Sequence, residues 1–281
     1  MKLSFRHFLN FTFFLEIFLF AFTLLLAINV ALNLARKVPV NETVKLENGL
    51  GLWQFVIMFI VATAILLLIL KYFKKPWLIK GLFYLAIFEG LLIFTQAYFA
   101  WPDFLYILGF LLFFWLIYRN VLVHDLIVAL AIAAIAVIFG LNLTPSAAVL
   151  VLLLLAVYDY WAVYKTKHMV QMFRGMAESK VHFSFVIPAN FKSLFKKIKD
   201  VSPTTEFMFL GTGDVALPAI FIVASLKINI LTALISALGA VFGLIILHVI
   251  FITQKERAPM PGLPPIVLGT LLGFLISFFI F

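Results

Sequence analysis

Phe207-Met208-Phe209-Leu210-Gly211-Thr212-Gly213-Asp214-Val215-Ala216-Leu217-Pro218-Ala219-Ile220-Phe221-Ile222-Val223-Ala224-Ser225-Leu226 is an apolar run of bilayer-crossing length with one charge, Asp214, set inside it. A helix needs about 20 mainly apolar residues to cross the hydrocarbon core. A charge within such a helix costs roughly 2.5–3.5 kcal/mol on insertion scales, so Asp214 asks for a reason. The run predicts a membrane fold, and its acid predicts a site.

The rest of the chain agrees with the membrane assignment. Of its 281 residues 65% are hydrophobic and only 12% charged, against about 25% charged in an ordinary soluble domain. A soluble fold cannot hide so much apolar surface beneath so few charges. Soluble enzymes, disordered regulators and nucleic-acid-binding domains are excluded. The formal charge of +9 is first a topology signal in such a chain. There is no cysteine, which removes disulfides, thiol catalysis and thiolate metal sites.

Runs of crossing length occur at about 8–34, 52–70, 81–99, 104–118, 126–141, 146–164, 207–226, 229–252 and 264–281. The fold expected is therefore an all-α integral membrane protein of nine transmembrane helices. The fourth and fifth runs are short, and Asp103, Arg119, His124 and Asp125 punctuate them. The first run is too long for a signal-peptide core, lacks a clear small-residue cleavage site before Arg36, and is expected to stay as a span. Of the Lys and Arg between runs, 17 fall on one side and 4 on the other. That bias puts the N-terminus in the cytoplasm and the C-terminus outside.

Residues 165–206 form the one long polar connection, with eight Lys and Arg. It divides the expected membrane domain into a six-span part (1–164) and a three-span part (207–281). Within it Phe191, Leu194, Phe195 and Ile198 recur at helical spacing, with Lys192, Lys196, Lys197 and Lys199 between them. The pattern suits a basic helix on an anionic membrane surface, and equally a solvated loop with accidental periodicity.

Four carboxylates fall well within apolar runs: Glu16, Glu89, Asp159 and Asp214. For Glu16 and Glu89 no motif surrounds the acid, and pairing, hydrogen bonding to backbone or neutrality accounts for each. Asp159 and Asp214 differ because their depths match. Asp159 lies about six residues before the end of its run and Asp214 about seven after the start of the next. At about 1.5 Å per helical residue both lie roughly 9–11 Å below the cytoplasmic surface. Two carboxyls brought close in a low dielectric cannot both ionise and so share a proton. Aspartyl-protease chemistry requires that state.

The flanks fit a site. Gly211 and Gly213 on either side of Thr212 remove bulk and permit close approach. Pro218 cannot donate to the carbonyl of Asp214, which frees that group and kinks the helix. Broken backbone at membrane depth suits a water-lined cavity; a packing glycine pair with a hinge proline fits the same residues. Pro259-Met260-Pro261-Gly262-Leu263-Pro264-Pro265 cannot be a continuous helix. It enters the last span on the same side as both aspartates. Either it supports a substrate held as a strand or it is a stiff turn.

Tyr158-Asp159, then Gly211-Thr212-Gly213-Asp214, then Pro261-Gly262-Leu263-Pro264 resemble the YD, GxGD and PAL signatures of the presenilin and signal peptide peptidase family of intramembrane aspartyl proteases. The stretch Tyr158-Asp159-Tyr160-Trp161-Ala162-Val163-Tyr164-Lys165-Thr166-Lys167-His168 is similar to the archaeal members, which points to a prokaryotic cell membrane. The resemblance implies Asp159 and Asp214 as the catalytic pair. It implies Tyr158, Gly211, Thr212 and Gly213 as shaping the site, and Pro261, Gly262, Leu263 and Pro264 as binding substrate. It implies no metal and no cofactor, with the bilayer and transmembrane-helix substrates, N-termini outside, as partners and no nucleic acid. Gly262 departs from the usual alanine.

Other intramembrane peptidase chemistries are disfavoured. None of His7, His124, His168, His182 and His248 stands in His-Glu-x-x-His, and no glycine has serine two residues later. Prepilin peptidases share GxGD but typically carry a basic residue where Ala216 stands. The alternative from another class is a proton- or ion-coupled transporter using the same carboxylates, although no repeated halves are visible. Gly239 and Gly243, and Gly269 and Gly273, give GxxxG faces that read as helix packing.

Overall fold

A computed structural model describes residues 11–37, 54, 57, 58, 61, 76–165, 184–201, 206–254 and 260–280. The run at 52–70, apart from four positions, and residues 166–183 of the basic loop lie outside these. Among the described residues are eight α-helices: α1 (Phe11–Lys37), α2 (Pro76–Tyr98), α3 (Asp103–Ile117), α4 (Val121–Asn142), α5 (Pro145–Tyr164), α6 (Thr212–Ser225), α7 (Ile230–Thr253) and α8 (Leu263–Ile280). Six have the length and composition to cross a membrane, while α3 and α6 are shorter apolar helices.

The helix starts follow capping chemistry. Asn120 accepts from Val123 N–H at 2.9 Å and Asn229 from Leu231 N–H at 3.2 Å. Thr144 caps α5 at Ala147, with Pro145 opening the helix. Each cap satisfies one main-chain donor that the first helical turn leaves without a partner.

α4 is the central helix. In its most apolar stretch 72% of residues are buried, and it packs against α1, α2 and α6. Its small residues make this possible: Gly90 of α2 lies against Ala131, and Gly140 lies against Ile220 and Val223 of α6. α7 and α8 cross where their glycines meet. A side-chain carbon at Gly239 would overlap the Gly269 carbonyl, and one at Gly243 would lie 2.5 Å from the carbonyl oxygen of Pro265. Both GxxxG faces pack helix on helix.

The structure departs from the expected helices in three places. Residues 207–211, read as the start of a transmembrane helix, form a strand instead. This β2 (Phe207–Gly211) pairs antiparallel with β1 (Ser184–Pro188), Ser184 opposite Gly211 and Pro188 opposite Phe207. A short apolar run does not by itself distinguish a buried strand from a helix, and aromatic Phe207 and Phe209 suit a strand. Asp214 is thus the third residue of a helix and not the eighth, so a depth computed at helical rise does not apply.

Second, residues 191–198 make no continuous amphipathic helix. They form short 3-10 turns at Phe191–Phe195 and Ile198–Asp200. Their main chain is spent on the start of α4 and the residues just before it: Val121 N–H donates to Lys196 O at 3.0 Å, and Ile198 N–H to Arg119 O at 2.8 Å. Leu194 is buried with Val121, Val186, Val201 and Phe207, while Phe191 and Phe195 are exposed. Third, α4 starts at Val121, five residues before the expected edge, which takes His124 and Asp125 into a buried helical turn.

Candidate active site

The GxGD motif is a helix start. Gly211 is the N-cap of α6 and Asp214 its third residue, where a carboxylate reaches back to the cap's own N–H. The main chain of Gly211 hydrogen-bonds the Asp214 carboxyl in that way. A side-chain carbon on Gly211 would stand 2.9 Å from Asp214 Oδ2. Glycine at the cap therefore makes room for the acid. Gly213, by contrast, faces open space, with nothing within 4 Å of where its side chain would start. Pro218 is buried inside α6, and its missing N–H leaves the Asp214 carbonyl without the helical donor four residues on.

Asp159 lies in the last turns of α5 and is 5% exposed. Its Oδ2 accepts the main-chain N–H of Leu263 at 3.1 Å. Leu263 opens α8, and Pro264 and Pro265 behind it carry no N–H, so the first donor of that helix goes to the aspartate. Gly262, one residue earlier, lies against the other acid. A side-chain carbon on it would stand 2.7 Å from Asp214 Oδ2 and 3.1 Å from its Cγ. The Gly262-Leu263 dipeptide thus lies against both carboxyls. Pro261 is buried and Pro264 half-buried. Tyr158 is exposed on α5, and Thr212 begins α6.

Of the other membrane acids, Glu16 meets His248 of α7, with Oε2 2.6 Å from Nδ1 and both side chains buried. Glu89 is exposed on α2. Among the described residues no three His, Asp or Glu side chains gather as a metal-binding group. The arrangement is a two-carboxylate site closed by a proline-rich turn.

Comparison with known proteins decides the family. Residues 15–281 match the family described as signal-peptide peptidase, presenilin aspartyl protease. The chain belongs to that family. It is an enzyme, an intramembrane aspartyl protease, and an integral membrane protein. The fold agrees with two solved structures of a presenilin family intramembrane aspartate protease. The one in space group C222 is 24% identical, with a TM-score of 0.60 over 92% of this chain and 94% of that one. The one in space group P2 is 23% identical, with a TM-score of 0.65 over 94% of this chain and 96% of that one. No curated protein matches. The transporter alternative finds no support in these matches.

The sequence did not single out the hairpin or what holds it within this protease. Ser184-Phe185-Val186-Ile187-Pro188 carried one signal, β-branched and aromatic residues stopped by proline inside a basic loop. His124 and Asp125 carried none beyond being polar at the head of an apolar run. In the structure Asp125 Oδ1 accepts Val186 N–H at 2.9 Å, and His124 Nε2 donates to Ser184 O at 3.3 Å.

Proposed function

We propose that the chain hydrolyses peptide bonds within transmembrane helices, with one of Asp159 and Asp214 as general base and the other as general acid. The observation that carries this is the contact of Gly262-Leu263 with both carboxyls. One carboxylate draws a proton from water, and its neutral neighbour polarises the scissile carbonyl. No covalent intermediate forms on either acid, and no metal or cofactor takes part. The pair titrates as a unit, because each proton is felt by both oxygens sets.

A helical substrate hides its carbonyls in hydrogen bonds, so it unwinds locally before attack. The Pro261–Pro264 segment and the GxGD turn receive the unwound stretch, with Tyr158, Gly211, Thr212 and Gly213 shaping the approach. Gly213 supports this assignment because its Cα borders open space beside Asp214. The domain plan is one nine-span membrane domain, six spans before the basic loop and three after. Its N-terminus is cytoplasmic and its C-terminus outside, which suits substrates whose N-termini lie outside.

The test is cleavage of a purified single-span substrate with an external N-terminus. Asp159→Asn and Asp214→Asn are expected to abolish intramembrane fragments while the proteins keep their detergent behaviour. Normal cutting by either variant rejects the assignment.

A further inference from the structure

Two buried side chains outside the catalytic pair fasten β1. Asp125, 1% exposed, takes the N–H of Val186 on Oδ1, and His124, 4% exposed, gives its Nε2–H to the carbonyl of Ser184. In an antiparallel pair alternate residues turn their main-chain groups toward the partner strand. Val186 is turned toward Asp125, so Ser184 and Val186 form the outer edge of β1, while Phe185 and Ile187 face β2. The α4 N-terminus therefore closes the edge on which a further strand would otherwise add. The same turn binds the following segment through Val121 N–H to Lys196 O. Asp125 Oδ2 has no hydrogen-bond partner among the described residues. A buried acid with a bare oxygen is costly, and its one satisfied oxygen serves this strand.

We infer that Asp125 and His124 are positioning residues for Asp214, acting through the hairpin. They hold β1, β1 sets β2 by register with Ser184 opposite Gly211, and Gly211 holds the Asp214 carboxyl. The inference rests on the catalytic reading of Asp214. What matters at position 125 is an accepting oxygen, and at 124 a donating nitrogen. The acid's charge is not required.

The experiment compares Asp125→Asn, which keeps the acceptor, with Asp125→Ala, which does not, in the full-length protein. The expected result is kcat within threefold of wild type for the asparagine variant and at least tenfold lower for alanine, with KM changed less than twofold. Since the chain has no cysteine, Val186→Cys gives a second readout. Its thiol is expected to react with a maleimide at least tenfold faster when Asp125→Ala is added, and no faster with Asp125→Asn. Wild-type kcat in the alanine variant, equal losses in both variants, or unchanged labelling overturns the inference. Should Asp125→Ala fail to fold, His124→Gln against His124→Leu carries the same comparison, with glutamine active and leucine impaired. Cleavage by the Asp214→Asn protein rejects the catalytic reading instead, and the labelling rates still decide whether Asp125 holds β1.

Discussion

The main-chain N–H of Leu263 donates to Oδ2 of Asp159 at 3.1 Å, joining residues 104 apart in sequence. The bond explains why the proline-rich turn precedes the last helix. Prolines 264 and 265 are tolerated in a first helical turn because N–H groups there lack intrahelical partners anyway. Leu263 remains the donor at the positive end of α8, and an acid is the favoured acceptor there. Gly262 simultaneously meets Asp214. The turn is thus a gauge between two carboxyls carried by α5 and α6.

Restoring the alanine usual in this family at Gly262 tests that gauge. Its methyl would stand 2.7 Å from Asp214 Oδ2, so the carboxyl has to move. A misplacement of about 1 Å costs up to roughly a hundredfold in rate. Gly262→Ala is expected to lower kcat about ten- to a hundredfold, and Gly262→Val further. Unchanged kcat in steady-state cleavage would show that the turn yields and the acid stays.

The Glu16–His248 pair ties α1 to the end of α7 in an apolar setting. Removing one partner strands the other, a loss of about 3–5 kcal/mol for a buried pair. Glu16→Leu and His248→Leu are each expected to destabilise the protein by that order. The double variant is expected to recover much of the loss. Equilibrium unfolding of the four proteins in one detergent measures the coupling.

Gly239 and Gly269 allow α7 and α8 to meet backbone to backbone. Gly269→Val forces them apart, and overpacking of this kind costs about 1–3 kcal/mol. A fall in cleavage is expected with the fall in thermal midpoint, because α8 carries Leu263 to Asp159. Full activity at a lowered midpoint would uncouple the helix contact from the site.

At the exposed end of the hairpin, hydrogen bonds from Lys196 and then Ser193 hold the Glu206 carboxyl below the usual carboxylate range. A lowered folded value stabilises above the ordinary value, about 4.3 for glutamate. That stability disappears as pH falls through the lowered value. The midpoint difference between wild type and Glu206→Gln is therefore expected at neutral pH, to shrink below about pH 4, and to weaken with salt. A difference independent of pH would remove charge as its cause.

Much of the candidate site was legible in the chain, residue by residue. Asp159 and Asp214 stood out because charge inside an apolar run is costly and rare. Pro261 to Pro264 stood out because four prolines between 259 and 265 cannot continue one helix through the segment, and the structure starts α8 within it at Leu263. Gly239, Gly243, Gly269 and Gly273 gave their packing face by spacing alone. Other features were hidden. Phe207 to Gly211 has the apolar character of a buried strand and of a helix alike. The partner that makes it a strand, Ser184 to Pro188, lies across a long loop. Asp125 gained its meaning only from Val186, and Glu16 only from His248.

Composition and local spacing determined the membrane setting, the acids and the breaks, since each depends on what one residue costs in lipid. Pairing was decided by the tertiary structure. A hydrogen bond such as Leu263 to Asp159 is specified by where packed helices carry two groups far apart in sequence, and no local pattern encodes that distance.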